Sequence, residues 1–287
     1  MNRKKLESAL LLFPALLCLT LFFVIPALSS FIFSFTDKML VAGRAATFVG
    51  FQNYADLLQD HSFRQAIGNT LYFAVLVVPF QTVLALALAL FVNRSIKGIS
   101  FYRAAYFAPV VTSMVVVSVI WSFLYNPEFG LLNAGLRWIG VPSQPFLASP
   151  KQAMPALVLM SAWQGAGMQM MIFLAGLQSI PKELYDAAKI DGAGPWNTFL
   201  HVTLPGLRNT LEFIIVITLI FALKLFVQPY VMTNGGPQGS TRTLLLYLYE
   251  QGFSYGQTGF ACAVATLLFI SAFLIVFAQV AFQKKGD

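Results

Sequence analysis

Five stretches of this chain contain no Asp, Glu, Lys or Arg: Ser8 to Thr36, Gln65 to Asn93, Ala104 to Pro127, Gln152 to Pro181 and Gln251 to Gln283. Each is longer than the ~20 helical residues that cross a hydrocarbon core of about 30 Å. Backbone groups in lipid must be bonded within the segment, and runs this long achieve that only as helices, since barrel strands are roughly ten residues of alternating polarity. The chain therefore reads as an all-α membrane protein. A sixth apolar stretch, from about Leu211 to Met232, carries Lys224 within it and is counted as a span. The expected spans are 8–35, 67–92, 104–125, 153–176, 211–232 and 258–282, in one transmembrane domain covering 1–287.

Composition agrees, with 58% of the 287 residues hydrophobic and 10% charged, against about 25% charged in a soluble domain. The net charge of +7 does not indicate nucleic acid, because the basic residues sit singly or in twos and threes with no face to track phosphates. Cys18 and Cys262 lie in apolar runs near opposite ends, so neither a disulfide nor a metal spacing is suggested. The only histidines, His61 and His201, fall on opposite sides of the expected membrane. No zinc helix, serine triad or carboxylate cluster can be assembled, which argues against a membrane enzyme.

Orientation follows from the loop cations. Arg3, Lys4, Lys5, Arg94, Lys97, Arg103, Lys182, Lys189, Arg208, Lys284 and Lys285 share one side, and Lys38, Arg44, Arg64, Arg137, Lys151 and Arg242 the other. The richer side is cytoplasmic by the positive-inside rule, which places both termini inside. The basic start followed by an apolar run resembles a signal peptide, but the run continues through Pro14 and Pro26 to Phe35, past the roughly 7 to 15 residues of a signal core. An uncleaved first helix is expected. On the outer side, Asn53 to Gly68 has helical spacing and reads as a short capping helix leading into span two. Thr243 to Tyr249 is too short to span and reads as lying along the outer interface.

The inner loop 179–208 carries the most information. Ser179 is read as a cap, Pro181 as a first-turn residue and Gly192 as a stop, with Glu183 and Asp186 near the positive helix end. This predicts a helix from about Pro181 to Asp191. Pro195 opens a second helix, with Trp196, Phe199 and Leu200 on one face, and Pro205 closes it. Such a pair forms a stiff knob, and the residues alone leave open whether it docks a partner or seals the bundle.

The loop also reads Asp186-Ala187-Ala188, three residues, Gly192, nine residues, then Val202-Thr203-Leu204-Pro205. This resembles the signature of permease subunits of ABC importers, Glu-Ala-Ala, three residues, Gly, nine residues, Ile-x-Leu-Pro. Phe48-Val-Gly-Phe-Gln-Asn-Tyr54 and Thr233-Asn-Gly-Gly-Pro237 resemble the carbohydrate-uptake branch, which includes the maltose permeases, and the resemblance runs over about residues 8 to 283. It implies a type I importer fold in which Glu183, Asp186, Ala187, Ala188 and Gly192 form an ATPase-coupling helix and turn, ended by Leu204 and Pro205. The family's Glu is Asp186 here, one methylene shorter.

The resemblance also implies partners: a second homologous permease in a heterodimer, two copies of a cytoplasmic ABC ATPase, and an extracytoplasmic solute-binding protein met by the outer loops. The chain has no Gly-x-x-x-x-Gly-Lys-Ser/Thr loop to hold nucleotide phosphates, so ATP and magnesium are expected in the partner ATPase, with no cofactor in this chain. The implied setting is a bacterial inner membrane, and the implied cargo a sugar, oligosaccharide or polyol.

Span four holds a polar, glycine-containing patch, Ser161 to Gln169, which reads equally as close helix packing or as a substrate pathway. Matching outward from the family motifs puts Ser161, Gln164, Gly165, Met168, Thr218, Phe221, Ala222 and Leu225 at pocket positions. Lys224, read as lying near a helix centre, faces a partner, a cavity or the substrate; it reads either as snorkelling or pairing across a subunit interface, or as contact with an anionic or hydroxyl-rich cargo. Thr233-Asn-Gly-Gly-Pro237 has the residues of a tight turn. The rival to a permease subunit is a self-contained secondary transporter or channel, whose inverted repeats are not seen in the sequence.

Overall fold

The computed structural model describes residues 3–40, 45–94 and 97–283, with backbone alone for 3–10, 278 and 280–283. Of the residues used for orientation, the side chains of Arg3, Lys4, Lys5, Arg44, Lys284 and Lys285 lie outside the described set. The described secondary structure is helical apart from one isolated bridge, Thr36 to Phe48.

Helix α1 runs Arg3–Leu19, passes through a π-helical turn at Thr20–Val24 and continues over Ile25–Phe33. It is followed by α2 (Gln52–Gln59), α3 (His61–Val92), α4 (Ile99–Val111), α5 (Met114–Leu124), α6 (Leu131–Trp138) and α7 (Ala153–Ser179). Then come α8 (Lys182–Ile190), α9 (Pro195–Thr198, extended through Phe199–Thr203 and Leu204–Gly206), α10 (Arg208–Leu223), α11 (Val227–Met232), α12 (Leu244–Tyr249) and α13 (Thr258–Gln283). Among the described residues, four helices are long and apolar enough to cross a membrane alone: Leu11–Phe33, His61–Val92, Ala153–Ser179 and Thr258–Phe277. The pair α4–α5, bent by 99°, and the pair α9–α10, bent by 67°, raise this to six if each pair is one span.

Breaks in the helical ladder fall within two of the expected spans. The stretch 104–125 is not one helix: Thr112 and Ser113 are both extended, and Thr112 bonds through its hydroxyl to Ala108 O and through its N–H to Pro109 O instead of continuing the ladder. The stretch 211–232 is interrupted at 224–226, between α10 and α11. Pro229 supplies the reason, since its ring excludes a helical carbonyl four residues earlier. That carbonyl, Leu225 O, accepts the Thr243 hydroxyl at 2.6 Å.

The chain divides into two compact units. The first comprises residues 1–64 and 247–271. In it the Asn53 amide donates to Ser34 O and Thr36 O at 2.8 and 2.9 Å, tying α2 to the end of α1. The expected helix over Asn53 to Gly68 is in fact two, because the Asp60 carboxylate accepts the N–H groups of Ser62 and Phe63 and starts α3 afresh. Its other oxygen accepts the Tyr247 hydroxyl at 2.8 Å. None of the Leu11–Phe33 window is buried within this chain.

The second unit comprises residues 65–246 and 272–287. One apolar cluster joins Ala85, Ala89 and Val92 of α3 to Met170, Phe173 and Leu177 of α7 and Ile214 of α10, with Leu207 beside them. Another joins Phe73, Ala74 and Val77 to Leu157, Val158 and Ala162, and to Ala222 and Leu225. Gly167 lets α7 lie directly on the Tyr106 carbonyl of α4. In Thr233–Thr241 a tight turn forms as the sequence indicates, with positive φ at Asn234, Gly235, Gln238 and Gly239. It is held to α3 by Asn69, whose amide donates to Gly239 O and Arg242 O at 2.7 and 2.9 Å.

Candidate functional site

Helices α3, α7 and α10, together with the breaks at 112–113 and 224–226, enclose a cavity of about 680 Å³. All nine residues singled out for a pathway line it: Ser161, Gln164, Gly165, Met168, Thr218, Phe221, Ala222, Lys224 and Leu225. They do not contribute equally. Ala222 and Leu225 are buried in the apolar cluster behind the wall, while Met168, Phe213 and Phe221 are about half exposed or more.

The polar groups fall into two sets. Thr218 is engaged within the protein, its hydroxyl donating to Ile214 O at 2.6 Å and accepting the Gln169 amide. That leaves Gln169 Oε1 buried without a partner. Gln164 reaches Pro109 O and Gln228 reaches Ser161 Oγ, both at 3.4 Å, long contacts that a ligand hydroxyl can displace at little cost. Lys224 is not at a helix centre, in contrast to the expectation from the apolar run around it. It stands just past the last turn of α10, exposed, at the break that Pro229 imposes.

Sequence reasoning passed over Phe73, Val77 and Gln81 of α3, Val110 and Met114 beside the first break, and Gln228 of α11. Gln81 is visible in the sequence as the one amide between Asn69 and Asn93 of the charge-free run 65–93. Its side chain lies over Gly165, where an added Cβ would come within 2.5 Å of Gln81 Nε2.

The inner loop begins where α7 ends. Ser179 is not its cap, since the Ser179 hydroxyl donates back to Gly176 O and Pro181 precedes the first turn of α8. In α8, Glu183 lies in the first turn, and Asp186 pairs with Lys189 at 3.0 Å on an exposed face. Ala187 is exposed and Ala188 half-buried. Gly192 ends the helix with φ +72°, a conformation in which a side chain is strained. Leu204 and Pro205 lie inside the last helical turn of α9 rather than closing it; the turn comes at Leu207. Proline is tolerated there as a first-turn residue of that short segment.

The loop is bolted to its flanking helices. Tyr185 packs into the same cluster as Leu177, Ile180, Val202 and Leu207, and its hydroxyl is 3.3 Å from Thr203 Oγ1. Gly206 lies flush on Ile180, and Gly176 on Thr210 and Leu207, where an added Cβ would meet side-chain atoms at 2.8 and 2.6 Å. The outward side carries Leu184, Ile190, Trp196 and Leu200, all exposed, with Ile190 at 87%. An apolar face of this size at one end of a helix pair has the character of a protein contact. From Gln169 to Ser179 the continuous α7 covers about 15 Å at 1.5 Å per residue, so cavity wall and loop are two ends of one rigid element.

A family model described as "Binding-protein-dependent transport system inner membrane component" matches residues 9–285. The chain is 35% identical to the probable ABC transporter permease protein YurN of Bacillus subtilis, over 99% of this chain and 98% of that one. It is 34% identical to the arabinooligosaccharides transport system permease protein AraP of the same organism, over 99% of this chain and 90% of that one. A chain in the crystal structure of a bacterial ABC transporter involved in the import of the acidic polysaccharide alginate shares its fold, with a TM-score of 0.84 at 24% identity over 98% of each chain. The chain belongs to the family of binding-protein-dependent transport system inner membrane components. It is a multi-pass membrane protein of the ABC importer permease class, with the type I importer fold.

Proposed function

We propose that this chain is the permease subunit of an ATP-driven importer that passes a sugar, oligosaccharide or polyol received from a solute-binding protein. It works in a bacterial inner membrane as a single permease domain, residues 1–287, with six spans and both termini inside. A second homologous permease completes a heterodimer, and two copies of a cytoplasmic ABC ATPase hold ATP and magnesium, this chain having no cofactor of its own. The arabinooligosaccharides named for AraP support a saccharide cargo.

The observation that carries this reading is the continuity of α7 from the cavity to the docking loop. In this mechanism, closure of the ATPase pair moves Glu183, Asp186, Ala187, Ala188 and Gly192 as a unit. Gly206, which ends the turn that holds Leu204 and Pro205, keeps α9 packed on Ile180, so the movement passes into α7 and α10. The walls carrying Ser161, Gln164, Gly165 and Met168 on one side and Thr218, Phe221, Ala222, Lys224 and Leu225 on the other then separate. Amides and hydroxyls serve sugar hydroxyls, and the phenyl rings of Phe213 and Phe221 serve apolar ring faces. The test is affinity purification from the native membrane in mild detergent, followed by reconstitution. Recovery with a P-loop ATPase and a second permease, and saccharide uptake that requires ATP inside the proteoliposome, are the expected results. Uptake by this chain alone would replace the proposal with a secondary transporter or channel.

A further inference from the structure

Among the described residues that line the cavity, one carries a formal charge. Its lining residues include Gln81, Ser161, Gln164, Gln169, Thr218, Gln228 and Lys224, and neither Asp nor Glu. Lys224 is exposed on its wall and has no carboxylate partner among the described residues. The rest of the lining is mostly apolar, with Phe73, Phe213, Phe221 and Phe226, so few groups compete for the ammonium. A lone cation in such surroundings attracts an anion more strongly than it would in water.

Resting on the saccharide-importer reading, we propose that the cargo of this cavity is anionic: a sugar or polyol bearing a carboxylate or a phosphate, with Lys224 pairing to that group. The break at 224–226 is what allows this. In a continuous helix through Leu225 the lysine would lie within a span and would need burial or a long reach to water. At the end of α10 it is released to the cavity wall, while Gln81, Gln164 and Gln228 remain for hydroxyls and the phenyl rings for ring faces. A lysine at a helix C-terminus also gains from the helix dipole, so the experiment must separate charge needed for folding from charge needed for cargo.

The purified complete transporter, without its binding protein, is titrated with trigalacturonate and with glycerol phosphate, and with the neutral counterparts galactotriose and glycerol. The wild type is expected to bind at least one acidic probe about tenfold or more tighter than its counterpart, the effect of one hydrogen bond to a charged group. The two acidic probes distinguish carboxylate from phosphate. Lys224→Gln should remove that preference with the complex still assembled, and Lys224→Arg should keep most of it. Equal binding of acidic and neutral probes, or an unchanged preference in Lys224→Gln, overturns the inference and leaves the saccharide reading standing. Loss of assembly in Lys224→Gln but not in Lys224→Arg also overturns it, assigning the charge to a subunit contact. Binding of neither class overturns the inference together with the saccharide reading.

Discussion

Two glycines of α7, two residues apart, should respond in opposite ways to the same added methyl group. At Gly167 a Cβ would run into the Tyr106 backbone carbonyl, with Val110 Cγ2 at 3.0 Å as a second obstacle. A backbone carbonyl cannot rotate away, so only separation of α7 from α4 relieves the clash. Overpacking of this kind costs about 1–3 kcal/mol, and replacing a helical glycine by alanine returns roughly 0.5–1 kcal/mol. Because the obstacle is backbone, the upper part of that range applies, about 2–3 kcal/mol, and Gly167→Ala should be destabilised by about 1–2.5 kcal/mol net. At Gly165 the obstacle is the flexible end of Gln81, at 2.5 Å from Nε2. That amide can swing into the cavity, so Gly165→Ala should keep near wild-type stability, within about 0.5 kcal/mol, while its cavity is narrowed. The assay is thermal unfolding of the purified complex in detergent, paired with uptake in proteoliposomes. Gly167→Ala should lose stability, and Gly165→Ala should lose uptake at normal stability. Wild-type stability for Gly167→Ala would refute the packing argument, and wild-type uptake for Gly165→Ala would refute the placement of Gln81 at the cargo path.

Thr218→Val removes the partner of the buried Gln169 amide and should destabilise by about 1–3 kcal/mol; thermal unfolding should show much of this regained in the double variant with Gln169→Leu. Gly192→Pro cannot adopt the positive φ at the end of α8 and should abolish ATP-dependent uptake while membrane insertion, followed by immunoblot of the membrane fraction, is unchanged. Tyr125→Phe loses the hydroxyl bond to Ala156 O at 2.8 Å and should cost about 1 kcal/mol in the same unfolding assay, with uptake retained. Lys189→Ala breaks an exposed pair with Asp186 and should leave stability within about 0.5 kcal/mol of wild type.

Much of the fold is legible because absence of charge over long runs has few solutions in lipid. The breaks were harder to see. Hydropathy averages across Thr112-Ser113 and across Lys224-Leu-Phe226, where local backbone chemistry decides. The second break was nevertheless encoded in Pro229, whose forbidden carbonyl falls on Leu225. Asp60 likewise divides one expected helix into two, because a capping carboxylate outweighs continued spacing of apolar residues. For the cavity, residues of α7 and α10 could be aligned on motifs, whereas Gln81 and Gln228 come from elements that only tertiary packing brings near. The question whether the small residues of α7 serve packing or a pathway has a divided answer, since Gly167 and Gly176 seat neighbouring helices and Gly165 lies on the cavity wall.

The central claim is that the loop 179–208 receives an ATPase and α7 carries its movement to the cavity. The most direct measurement is cysteine cross-linking from Ala187→Cys in a chain whose Cys18 and Cys262 have been replaced, performed in native membranes with Leu131→Cys as the comparison. A cross-link to a P-loop ATPase from position 187 and none from position 131, with its yield changing when ATP is added, is the predicted result. No ATPase cross-link from position 187 in a chain that still supports uptake would contradict the account.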